Sequence, residues 1–135
     1  MIINFITLEI RQSDIPIRGN VMASGDSNYD RRVEDELIER LDGGDIYAWF
    51  DAKVTVEIEV NGVTFEGFDT LGGCSYKSLD QFMEPDSYYT DMVKSALDNA
   101  VHELIDYVSA LHGTLNKDEL NIPVLSSIKP IVNVC

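Results

Sequence analysis

Few side chains in this sequence are equipped for catalysis. Cys74 is the one plausible nucleophile, and a catalytic thiol needs a base beside it, for which the chain offers His102 or His112. His102 sits between Val101 and Glu103 in an apparent mid-helix, and nothing around Cys74 matches a cysteine hydrolase signature. Gly72-Gly73-Cys74 instead fits a small buried residue in a Gly-rich turn. Asp26-Ser27-Asn28-Tyr29-Asp30 opens like a calcium loop, but the sixth and twelfth positions, which need Gly and Glu, hold Arg31 and Leu37. Helix capping is the simpler role. Asp42-Gly43-Gly44-Asp45 reads as a helix stop followed by a turn, and Gly72-Gly73 lacks the Gly-Lys-Ser/Thr ending of a phosphate loop. Cys74 and Cys135 stand too far apart in sequence for a disulfide framework or a zinc site. No catalytic residue, cofactor or metal is expected.

What remains is charge. The 135 residues carry 24 acidic and 10 basic side chains, a formal net charge of −14. Such a chain is repelled by DNA, RNA and anionic membranes, so a charged partner should be basic. From Asp30 to Asp42, the residues Asp30, Glu34, Asp35, Glu36, Glu39 and Asp42 place six carboxylates along a helical rise of about 18 Å. Their mean spacing is close to the roughly 3.4 Å phosphate repeat of one DNA strand. Arg31, Arg32 and Arg40 halve that density, and Glu36 has helical i,i+4 spacing to Arg32 and Arg40. Glu34, Asp35 and Glu39 are expected to keep uncompensated charge. Glu57, Glu59 and Glu66 add a second acidic group.

These side chains must be positioned by a small number of elements. Residues 2–11 alternate as a strand with Ile2, Ile6, Leu8 and Ile10 on one face, edged by Pro16. Ile15–Ala23 reads as a second, irregular strand. Asp26 or Ser27 caps a helix with a Val33, Leu37, Leu41 stripe, and Gly43-Gly44 stops it. From Ala52 to Val60 the even positions are apolar, and Asn61-Gly62 supplies a two-residue type I′ turn. That register pairs Val60 with Val63 and Ile58 with Phe65 on the buried face, and sets Glu57 opposite Glu66. The first hairpin strand is expected to begin near Ile46–Trp49, and Leu71–Ser78 to form a tight loop. Ser78 caps a helical turn over Leu79–Met83 that Pro85 ends. A helix of about 37 Å spans Tyr88–His112 and closes at Gly113. The aromatic pairs Trp49-Phe50 and Tyr88-Tyr89 belong to the core and its rim. Residues 114–135 form an extended tail that adds an edge strand or docks on a partner.

Three stretches together resemble small acidic accessory proteins of bacteriophages and prophages. They are Ser24–Ser27 leading into Glu34–Asp45, then Tyr47-Ala48-Trp49, and Leu71–Ser78 followed by Tyr88-Tyr89 and Asp91-Met92. The resemblance covers about residues 20–100. It implies a genomic niche more than a mechanism: proteins of that niche often block host defences, as anti-CRISPR and anti-restriction proteins do, by binding the basic nucleic-acid-handling surface of a defence complex.

The sequence therefore predicts an α+β fold: a single domain over residues 1–113, with the tail at 114–135. An antiparallel sheet, built from the N-terminal strand and the central hairpin, is packed by the long C-terminal helix, and a shorter acidic helix lies beside it. The expected function is non-enzymatic inhibition of a host nucleic-acid-handling protein, such as a Cas protein, by occlusion of its basic surface. The expected contact residues are Asp30, Glu34, Asp35, Glu36, Glu39, Asp42, Glu57, Glu59 and Glu66. The alternative is a phage structural or regulatory adaptor whose long helix self-associates, for instance as a homodimer. The N-terminus lacks a basic region before its apolar run, and no apolar stretch approaches the ~20 residues that span a bilayer, so the host cytoplasm is the expected setting.

Overall fold

Strict alternation makes Phe50–Val60 (β2) an inner strand of a four-stranded sheet. The computed structural model describes residues 1–112, Leu125 and residues 128–135. Within them, Ile2–Gln12 (β1), Val63–Cys74 (β3) and Ile131–Val134 (β4) complete the sheet in the order β3-β2-β1-β4. The helices are Ser27–Asp42 (α1), Leu79–Phe82 (α2) and Tyr88–His112 (α3), and the fold is α+β. Gly113 and residues 114–124, which include the expected helix stop and most of the tail, lie outside the described residues.

The β2–β3 hairpin has the predicted register. Asn61 and Gly62 take φ of 51° and 80°, as a two-residue turn with two left-handed positions requires. Val60 faces Val63, Ile58 faces Phe65 and Glu57 faces Glu66. Val63, on the edge strand beside the turn, is nevertheless 40% exposed, whereas Val60 packs against the core. Ala52, Val54, Val56 and Ile58 are buried on one face. Lys53, Glu66, Phe68 and Thr70 are exposed on the other.

α3 covers the apolar face. Its seam, Val93, Ala96, Leu97, Ala100, Val101 and Leu104, is buried against Ile6, Leu8, Ile10 and the apolar side of β2. Ala96 and Ala100 lie over Gly67, where a side chain would enter the helix backbone. Asn99 Nδ2 donates to the Phe68 carbonyl at 2.9 Å, tying the helix to the strand at the same place. At the end of the sheet, Phe50, Tyr76 and Phe82 stack in edge-on and tilted pairs 5.0–6.2 Å apart. A smaller apolar cluster of Ile17, Leu37, Ala48 and Trp49 holds α1 and the loop after β1.

The structure revises four local expectations and, of the two given for the tail, bears out the edge strand. An extra residue at Asn4 bulges β1 between the Ile3–Ile58 and Phe5–Glu57 pairs. The bulge reverses the facing upstream of it, so Ile3 packs on the core and Ile2 is 54% exposed. Ile15–Ala23 is a loop, not a strand; Ile17 turns inward and the Ile15 carbonyl accepts from Trp49 Nε1 at 2.7 Å. Ile46–Ala48 forms a 3₁₀ turn capped by Asp45, so β2 begins at Phe50. Leu71–Cys74 continues β3, with Phe50 paired to Cys74 across a register shift, which confines the loop to residues 75–78. Finally, Ile131–Val134 is part of the sheet: β4 pairs in parallel with β1, from Thr7–Ile131 to Ile10–Val134. The end of the tail is thereby an edge strand of the domain.

Candidate acidic binding surface

Capping sets the start of α1. Asp26 accepts from the Asn28 and Tyr29 amides at 3.0 and 3.2 Å, which is the role expected for this residue in place of calcium binding. Asp30 is turned back to the preceding loop, where Ser24 Oγ and the Ser24 amide donate to it at 2.6 and 3.2 Å. Its charge organises the helix entry.

Glu34 and Asp35 do not carry the uncompensated charge predicted for them. Glu34 is 8% exposed; its two oxygens accept from Arg18 Nη1 at 3.2 Å and from the Gly19 amide at 2.7 Å. Asp35 receives the other terminal nitrogen of the same guanidinium. The paired carboxylates, Asp35 foremost, push the Arg18 guanidinium further toward its charged form. Arg18 lies 16 residues before Glu34, in a loop, so no helical spacing advertised the pair. A signal did exist: Glu34 occupies the first position of the inward stripe 34, 37, 38 and 41, where an acid needs a buried partner.

Glu36, Glu39 and Asp42 are the exposed acids that remain on α1. Among the described residues, none of the three has a cation within 4 Å. The i,i+4 pairing expected for Glu36 does not form. Arg32 lies over the Tyr29 ring at 5.6 Å, and Arg40 is held by Asp45 at 2.8 Å and by the Tyr76 carbonyl at 2.7 Å. The continuous row of six carboxylates is thus reduced to three, because the loop before the helix and the turn after it use the rest of the local charge.

The second group lies on the sheet. Glu57 and Glu66 face each other across β2 and β3, and Asn4 Nδ2 donates to Glu57 and Glu59 at 3.3 and 3.4 Å. Asn4 is the bulge residue of β1, so the irregularity supplies the donor that draws two carboxylates together. Among the described residues no cation pairs with Glu57, Glu59 or Glu66. The two groups do not merge. α1 packs on the 3₁₀ turn before Phe50, whereas Glu57 lies seven residues further along β2, roughly 23 Å at strand rise.

Cys74 lies half-buried at the end of β3, with its thiol 3.1 Å from the Phe50 carbonyl. Burial, reinforced by the Asp51 carboxylate, pushes this thiol up to about 12. A proton held so firmly opposes nucleophilic use. His102 Nδ1 lies 2.7 Å from the Asp98 carbonyl one turn earlier, and the side chain of His112 lies outside the described residues. Asp45 caps the 3₁₀ turn through the Tyr47 amide at 3.1 Å. Among the described residues, no three His, Cys, Asp or Glu side chains converge as a metal site, and no helix is long and apolar enough to cross a membrane. Comparison with protein-family models, with curated proteins and with solved structures finds no match.

Proposed function

We propose that this chain is a non-enzymatic binding protein of the phage accessory kind, which inhibits a host nucleic-acid-handling defence complex by covering its basic surface. The observation that carries the reading is the Glu57–Glu66 pair. Like charges directly opposite on neighbouring strands destabilise a sheet, and Glu59 shares the same amide donor beside them. A partner's Arg or Lys inserted among the three carboxylates would remove that repulsion and add charge-assisted hydrogen bonds. Glu36, Glu39 and Asp42 extend the negative field at the other end of β2, and a net charge of −14 steers a basic partner inward before contact. The resemblance over residues 20–100 supplies the niche.

The test is capture from a host lysate with mass spectrometry, followed by association kinetics at several salt concentrations. A basic nucleic-acid-handling protein should be recovered, and its association should slow when Glu57 and Glu66 are both replaced by Gln. A recovered partner whose rate ignores both salt and this double substitution overturns the reading. Recovery of further copies of the chain alone also overturns it, in favour of an adaptor that acts through helix-mediated oligomerisation.

A further inference from the structure

We infer that the chain holds a binding site for a single-chain anionic amphiphile, an alkyl carboxylate of medium length, in the groove between α3 and the segment leading into β4. The groove encloses about 380 Å³. That is near the lower end of the ~300–1,000 Å³ range of small-molecule sites. Ile6 and Val93, both otherwise buried in the core, line it together with Met83 and Ile128, so its surface is mainly hydrocarbon. A single turn of a peptide helix, about 10 Å across with side chains and 5.4 Å long, would by itself exceed this volume. One alkyl chain fits.

Charge selects the head group. The protein has 24 acidic and 10 basic residues, yet the described lining of this groove contains Lys94 and Lys129 and no acid. Two other grooves do contain acids: one is lined by Glu9 and Asp51 together with Arg11 and Lys53, another by Glu84, Asp86 and Asp91. Among the described residues neither Lys94 nor Lys129 has a carboxylate within 4 Å. Both are exposed, and lysine stems lie along apolar surface while their ammonium groups stay in water. An alkyl carboxylate would place its chain against Ile6 and Val93 and its head between the two ammonium groups.

The test titrates the full chain with decanoate below its aggregation concentration, by calorimetry and by amide chemical shifts. Saturable binding is expected, with shifts concentrated at Val93, Lys94 and Lys129. Octanoate, two methylenes shorter, should bind about tenfold more weakly, since alkyl burial contributes per methylene. Decyltrimethylammonium, the same chain with the opposite charge, should bind at least tenfold more weakly. Replacing Lys94 and Lys129 together by Gln should weaken decanoate about tenfold and leave decan-1-ol unaffected. The absence of saturable decanoate binding, equal binding of the cationic probe, or unchanged decanoate affinity in the double variant would each overturn the assignment.

Discussion

Gly67 of β3 meets α3 backbone to backbone at Ala100. A β-carbon on Gly67 would lie 2.2 Å from the Ala100 nitrogen and 2.1 Å from the Ala96 carbonyl oxygen, so the helix would have to lift. Overpacked cores lose about 1–3 kcal/mol and sometimes more, and a backbone cannot yield by changing rotamer. Gly67→Ala should therefore destabilise the protein by about 3 kcal/mol or more, measured as a lowered denaturant midpoint. A loss below 1 kcal/mol would mean that the helix is not seated on this strand as described.

Glu34 should behave as a structural residue, unlike its exposed neighbours. Glu34→Ala leaves the Gly19 amide without its acceptor and should lower stability by about 1–2 kcal/mol. Arg18→Ala should destabilise in the same direction. Glu36→Gln with Glu39→Gln should leave stability unchanged or slightly raised, since it relieves self-repulsion. Chemical denaturation of the three variants separates the roles. Equal behaviour of Glu34 and Glu36 would contradict the buried placement.

Reversing one charge of the hairpin pair should stabilise the free protein and impair its function. Glu66→Lys puts an opposite charge across from Glu57 and should raise stability by roughly 0.5–1 kcal/mol. The gain should shrink at high salt, because the pair is near the surface. Association with a basic partner should slow in the same variant. A stability gain with undiminished association would move the interface elsewhere.

Cys74 should resist alkylation. Its thiol holds the proton up to about 12, so at pH 8 iodoacetamide should modify exposed Cys135 well before Cys74. The linkage has a definite sign. Between the ordinary thiol value and about 12, the unfolded chain loses this proton and the folded chain keeps it, so the folded state becomes less stable as pH rises through that window. Cys74→Ser should fold with a modest stability loss. Equal labelling rates for the two cysteines in the folded protein would refute the buried, protonated thiol.

Local rules made much of this chain legible. The alternation of Ala52–Val60 and the Asn61-Gly62 turn determine the hairpin register, since a one-residue slip would expose every core side chain. The α1 cap at Asp26, the α2 cap at Ser78 and the span of α3 likewise follow from neighbouring residues, because capping bonds and helical stripes reach only three or four positions. The acidic excess is a property of composition alone.

Tertiary contacts decided the rest. Whether Glu34 is a surface acid or a buried acceptor depends on Arg18 and Gly19, which a loop brings to it across 16 and 15 positions. Asn4 becomes a bulge, and a donor to Glu57 and Glu59, only when β1 is laid against β2. Gly67 looks like a weak point in a strand until α3 closes on it. Ile131–Val134 finds its strand partner in β1, more than 120 residues earlier. In each case the deciding interaction links residues far apart in the chain. A sequence records which side chains need partners; only the packed chain decides which partners they meet.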